Sequence, residues 1–410
     1  MAVYYIDPEN GEPVNSGLRP EQPLNTNKNL YLMPGDSVLF KRGSLIRDSL
    51  WNVNGADDKP ITYGAYGEGE NPVFCGSWDV SRECDWKELS AHLWKCTRSF
   101  PTAVCNLVFN QSFGGSMQWT VNELKEQGDW WDSTCEGITR DEQEVLLYSL
   151  DNPAKVYDRI ECVLLIHEQL AYAGHNMIIQ DLTFCNNGFG IAGETGSRNL
   201  TIRNCRFEFI GGQIWSQDEK IRFGNAVEFW NTAENVIVEC CVFKEIYDSA
   251  VTHQGSEECR AAEGLWIRDN LFLKCGMAAY EQRDVVPRSG EFRNNVCADA
   301  GCGFSHLRIK HPRTSEIWPQ PMGHHIFLWR MEKPTDDSHF VIANNVFLNA
   351  PYGAAIYSVM HPEAEEQLII DNNVYLMKER ALIIRMAGQN FDSFEAYRTA
   401  TGREIHSTEG

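Results

Sequence analysis

Three features of the sequence point to an all-β solenoid, a single-stranded parallel β-helix. The segments GNAVEFW, YDSAVTHQG, GMAAYEQR and GCGFSHLRIK, between Gly224 and Lys310, align so that Glu228 falls over Thr252, Glu281 and His306 at steps of 24, 29 and 25 residues. The segments IIQDLTF, LTIRNCRF, VIVECCVF, LWIRDNLF, EFRNNVC, FVIANNVF and LIIDNNVY also align, placing Leu182, Cys205, Cys241, Asn270, Asn295, Asn345 and Asn373 in one column. Finally, 410 residues is long for one closed core, whereas a solenoid adds core coil by coil. Short apolar runs recurring at such a period mark stacked coils.

Residues 1–77 carry the strand-like runs YYI, SVLF, ITYGAY and PVF between Gly, Pro, Asn and Asp turn signals, which predicts an N-terminal cap and the first coils. Over residues 78–162 the repeat is lost and six tryptophans gather, among them Trp130 and Trp131 beside Asp129 and Asp132. This predicts an inserted β-rich subdomain whose tryptophans form a core, with the Trp130-Trp131 pair polar enough for a groove wall. Residues 163–386 read as the parallel β-helix with its groove, interrupted by insertions at 213–222, 284–290 and 310–338. Loops leaving one edge of a rigid stack commonly build binding-site walls. The recurring asparagines read as a structural ladder at a position where the backbone visits the left-handed region. Residues 387–410 read as a C-terminal cap with a short helix started by Asp392.

The segments PGDSVLFKRGS and KPITYGAYGEGENPVFCGS, with the NNVF-type repeats, resemble bacterial right-handed parallel β-helix proteins of the pectin-lyase-like superfamily. The resemblance covers most of the chain and implies a right-handed helix acting on carbohydrate. That superfamily includes glycoside hydrolases, polysaccharide lyases, sugar epimerases and non-catalytic binders, so the activity must be argued from the site. Arg308-Ile309-Lys310 is similar to the RIK element with which polygalacturonase-type hydrolases hold a uronate carboxylate. The NTD, DD and GHG elements of that pattern are missing at the matching coils, so no catalytic role carries over from it.

A formal charge of −21 repels phosphate backbones and anionic membrane surfaces. Neither nucleic acid nor membrane is an expected partner. No apolar run approaches the roughly 20 residues of a membrane span, and the first residues lack the pattern of a signal peptide. The expectation is a cytoplasmic protein, the alternative being a secreted one without its leader. Many of the 14 cysteines lie on or beside repeat strands and no CxxC pair occurs, which favours free thiols and no metal site. No cofactor is expected.

Alternation along a strand puts Val227 and Phe229 inward and Ala226, Glu228 and Trp230 outward. The next coils repeat this with Val251, Tyr280 and Ser305 inward. Three outward columns result: Ala226, Ala250, Ala279, Phe304; then Glu228, Thr252, Glu281, His306; then Trp230, Gln254, Arg283, Arg308. Glu228 and Glu281, two rungs apart, have backbones about 9.6 Å apart. Glycosidic hydrolysis needs an acid and a second carboxylate, either about 5–5.5 Å away as nucleophile or about 6.5–9.5 Å away with a water between, and the column falls nearer the second case. Glu228, Asp248 and Glu281 are therefore the catalytic candidates, and Trp230, Thr252, His253, Gln254, Arg283, His306 and Arg308 the candidates for binding substrate. For His253 strict alternation also allows a buried imidazole, and neither His324 nor His325 is expected to share a metal. Apolar Ile356 and Ile384 would close the columns.

The leading expectation is a glycoside hydrolase acting on an oligo- or polysaccharide. A lyase or uronate C5-epimerase using Arg283, His306, Arg308 and Lys310 is the alternative. A non-catalytic carbohydrate-binding solenoid is the third, and it requires that no carboxylate of the column have a shifted pKa.

Overall fold

The computed structural model describes residues 1–136, 144–193, 196–254, 262–283, 286–306, 323–329 and 338–410. Period-2 alternation in segments such as NVIVE and GLWIR forms strands whose alternate side chains enter the coil interior. Val236 pairs with Leu265 and Val238 with Ile267 in parallel register, and all four are buried. Repeating this rung after rung gives a ten-stranded parallel face running from Val3–Ile6 to Leu368–Asp371. A second face contains Arg206–Ile210, Val242–Ile246, Leu271–Leu273 and Val296–Ala298, again parallel. The third contains Val227–Trp230, Ser249–Gln254, Ala278–Arg283, Ile326–Trp329, Ile356–Val359 and Ile384–Met386. The long strand Thr183–Gly193 turns the corner between these two faces, pairing with Arg206–Ile210 through its first half and Val227–Trp230 through its second. The chain is a right-handed parallel β-helix.

Like residues stack inside the coil. Phe74, Phe184, Phe207, Phe243 and Phe272 form a column with ring centroids 4.8–5.7 Å apart. At the corner between the first two faces, Asn270, Asn295, Asn345 and Asn373 form the asparagine ladder. Each Nδ2 donates to the Oδ1 of the next at 3.1, 3.2 and 3.0 Å, and Asn373 ends the run on Glu404 at 3.2 Å. The left-handed residue is the one before each ladder position: Asp269, Asn294, Asn344 and Asn372 have φ of 57–60°. Both neighbouring asparagines in the NN pairs are thus used, one for its backbone and one for its amide.

Two expectations about this frame are corrected. The capping helix Phe394–Thr401 is started by Ser393, whose Oγ accepts from the Ala396 N–H at 3.2 Å, while Asp392 lies one residue too early. The fourth rung is not GCGFSHLRIK. Phe304–His306 is a short 3-10 turn, captured where the Phe304 N–H donates to Glu245 at 2.8 Å and the Phe304 ring packs on Tyr247. The rung after Ala278–Arg283 is Ile326–Trp329, with Tyr280 beside Ile326 and Glu281 beside Phe327. Ser305 is therefore not part of the inward column. Ile356 and Ile384 continue that inward column, and Glu281 is followed outward by Phe327, Tyr357 and Arg385.

Between Ser77–Asp79 and the strand Ile160–Tyr172 the chain leaves the coils and builds a separate five-stranded sheet. Its own apolar core contains Trp86, Trp130, Trp131, Leu147 and Ile160. Trp130 and Trp131 are 0% and 5% exposed, so they fill this core and form no groove wall. All described cysteines are free thiols. Among the described residues no helix is long and apolar enough to cross a membrane.

Candidate active site

The third face carries the acidic column. Register places Glu228 beside Thr252 and Thr252 beside Glu281, with Ala192 before them. Val227, Val251 and Tyr280 anchor these three strands inward and are fully buried. Their neighbours are thereby fixed on the outer surface. That surface is not a bare trough: Glu228, Thr252 and Glu281 are only 2%, 0% and 1% exposed.

Each glutamate is held by its own set of donors. Glu228 accepts from Asn225 Nδ2 at 3.0 Å and from Gln254 Nε2 at 2.7 Å. The Asn225 Oδ1 in turn accepts from the Ser249 N–H at 3.0 Å, which fixes the amide's orientation. Glu281 accepts from Ser249 Oγ at 2.9 Å and from Arg283 Nε at 2.6 Å. Between them the Thr252 hydroxyl is buried with no hydrogen-bond partner among the described residues. Asp248 stands at the entrance of the strand Ser249–Gln254 and is buried.

Burial pushes the Glu228 carboxyl up to about 7, and the charges of Glu281 and Asp248 push the same way against the Asn225 hydrogen bond and Arg283. A carboxyl poised near neutrality can hold a proton in one step and release it in the next. The second carboxylate, Glu281, is ion-paired with Arg283. Two carboxylates in such different surroundings are the arrangement that separates an acid from its partner.

Glu228, Thr252, Gln254, Glu281 and Arg283 are thus brought together, with Asp248 at their edge. Gln254 and Arg283 hold the carboxylates. Trp230 is outward and 38% exposed. His253 shares the interior column with Phe229 and Gln282, so it points away from the groove, and burial lowers its imidazole to about 4. It does not face a substrate. His306 leaves the column with its 3-10 turn, and its side chain, like Arg308 and Lys310, lies outside the described residues. His324 and His325 are buried in packing, His324 stacked on Tyr357 at 4.3 Å and His325 on Phe347 at 5.5 Å. No group of three His, Cys, Asp or Glu among the described residues can hold a metal.

Asn225 and Ser249 were not candidates from the sequence. Their signal was present, since each lies three residues before Glu228 and Thr252 in the aligned segments, but only the register shows that they join the two glutamates.

The open space beside this cluster runs toward the earlier rungs. A cleft of about 620 Å³ is lined by Glu228 and Trp230 together with Tyr172, Phe189, Ala192, Gly193 and Phe223, and by residues 213–215. The insertion at 213–222 forms one wall as a hairpin, Gln213–Ser216 against Ile221–Phe223. Glycines close its base: Gly211 and Gly212 have φ of 97° and 98°, and a Cβ on either would meet a backbone oxygen at 2.4 Å.

No protein-family model and no curated protein matches the sequence. Solved structures do match the fold. The GH136 lacto-N-biosidase from Eubacterium ramulus superposes with a TM-score of 0.55 at 16% identity, over 94% of this chain and 62% of that one. A protein described as a glycoside hydrolase gives 0.53 at 8% identity over 100% and 97%. XylC in complex with xylose gives 0.50 at 12% over 91% and 68%. The chain therefore spans about three fifths of the lacto-N-biosidase it resembles. At these identities the likeness is one of fold.

Proposed function

We propose that the protein is a carbohydrate-active enzyme, a glycoside hydrolase that cleaves a glycosidic bond in an oligo- or polysaccharide. The observation that carries this reading is the pair Glu228 and Glu281. Two buried carboxylates flank a hydroxyl without a partner among the described residues, and one of them is raised to about 7 while the other is ion-paired. In this reading Glu228 donates its proton to the leaving oxygen as general acid. Glu281 supplies the second carboxylate, positioned by Arg283 and Ser249, while burial keeps Glu228 protonated and the charges of Glu281 and Asp248 add to that effect. The names of the fold relatives, two of them glycosidases, agree with this.

A solenoid that only binds sugar has no use for a carboxyl raised toward neutrality. A lyase needs a cation free to neutralise a uronate, and Arg283, the one of its proposed cations whose side chain lies among the described residues, is 2.6 Å from Glu281. The test is a panel of neutral and uronate-containing oligosaccharides incubated with the protein and read by mass spectrometry. Products that gain the mass of water support hydrolysis; unsaturated products or none at all overturn it.

A further inference from the structure

The cleft beside Glu228 has a chemical character that bears on what the enzyme holds. Its aromatic residues are Tyr172, Phe189, Trp215, Phe223 and Trp230. Two of them stay open to solvent, Trp215 at 60% and Trp230 at 38% exposed. Large indole faces left in water at a concave surface mark a binding site, because the apolar face of a ligand gains by covering them. A pyranose ring offers such a face through its axial C–H groups. The charged residues that line the cleft are Glu168 and Glu228, and neither Lys nor Arg lines it among the described residues. A uronate carboxylate entering here would face two acids in a protein of net charge −21. The volume of about 620 Å³ falls within the range of small-ligand sites.

The wall bearing Trp215 is also held rigid from behind. Arg222, buried on the opposite strand of the hairpin, donates to the carbonyls of Gly212 at 2.7 Å and Cys105 at 2.6 Å. Gln217 Nε2 donates to the Thr134 carbonyl at 2.9 Å, and Ile214 packs on the core of the inserted sheet. The tryptophan-rich insertion thus buttresses the hairpin from its own core, and its buried Trp130 and Trp131 contribute mass to the support.

From this geometry we infer that the cleft is the main sugar subsite, that it takes an uncharged pyranose stacked on Trp215 and Trp230, and that the inserted unit exists to hold Trp215 in place. The inference rests on the reading of Glu228 as the reacting acid only for the subsite's relation to the bond cleaved. The binding claim stands separately. The test uses the 410-residue Glu228→Gln chain on an array of neutral di- to hexasaccharides of glucose, xylose, galactose and N-acetylhexosamines, printed beside oligogalacturonates and oligoalginates. The expected result is retention of one neutral glycan series and no retention of uronates. Trp215→Ala and Trp230→Ala, added separately, are each expected to weaken that binding roughly tenfold or more, with an unchanged circular dichroism spectrum. Preference for uronates, binding unmoved by Trp215→Ala, or no binding to any glycan would overturn the inference. Binding of a neutral glycan that wild-type protein leaves uncleaved keeps the subsite and removes the hydrolase reading; cleavage of uronates alone removes the subsite.

Discussion

Two columns of this solenoid are built on the same rungs and answer opposite demands. In the asparagine column every amide donates to the next rung and accepts from the one before, so polar groups buried at the corner are satisfied along the stack. In the acidic column Glu228 and Glu281 repel each other across a hydroxyl that has no partner among the described residues, and Glu228 rises to about 7. The first arrangement stabilises. The second costs stability and is held in place by rungs whose interior residues, Val227, Val251 and Tyr280, are fully buried. A repeated position can therefore pair every polar group along the stack or, in the proposed reading, set a carboxyl apart for chemistry.

That contrast can be broken most strongly at the acids. Glu228→Gln and Glu281→Gln are each expected to lower kcat by about three orders of magnitude or more, while the urea midpoint of Glu228→Gln does not fall. Activity within tenfold of wild type in both variants would remove the catalytic reading of the column.

The next effect is on stability and has a definite sign. Glu228 has its pKa raised from 4.5 to about 7 in the folded protein, so folding takes up a proton there. Its contribution is fully present below about 4.5 and is lost as pH rises through about 7, amounting to about 3 kcal/mol. Glu228→Gln should abolish that loss. Urea unfolding is therefore expected to show the variant gaining on wild type between pH 5 and pH 8, and parallel curves at the two pH values would contradict it.

The asparagine column should respond the other way. Asn295→Ala removes the acceptor used by the Asn270 N–H and side chain and takes from the Asn345 Oδ1 one of its two donors, the Asn295 backbone N–H remaining. A loss of about 2–3 kcal/mol is expected in urea unfolding, with kcat per folded molecule unchanged. A drop in kcat at full stability would erase the distinction between the columns. The smallest effect belongs to the end of the stack, where Ser393→Ala is expected to lower stability by about 1 kcal/mol through the lost helix cap.

The sequence made much of this legible. Alternation in NAVEFW put Val227 and Phe229 inside and Glu228 and Trp230 outside, and spacing alone brought Thr252 and Glu281 onto the same column. The asparagine ladder was equally readable, because one residue type recurred at one position. The fourth rung was not, since GCGFSH copies the glycine-led pattern of a coil but is diverted by a single carboxylate, Glu245, and an aromatic cluster around Tyr247. That error moved His306 onto the column and pointed the groove toward Arg308.

Spacing and alternation along the chain are enough for the periodic part: a parallel β-helix with an outward column on which Glu228 and Glu281 lie two rungs apart. The burial of these acids, their connection through Asn225 and Ser249, and the opening of the cleft toward the hairpin bearing Trp215 rather than the later rungs emerge only in the folded chain. Periodicity fixes which residues share a face because strand geometry is local. What covers that face depends on contacts between segments far apart in sequence, such as Arg222 reaching the Cys105 carbonyl, and no spacing along the chain encodes them.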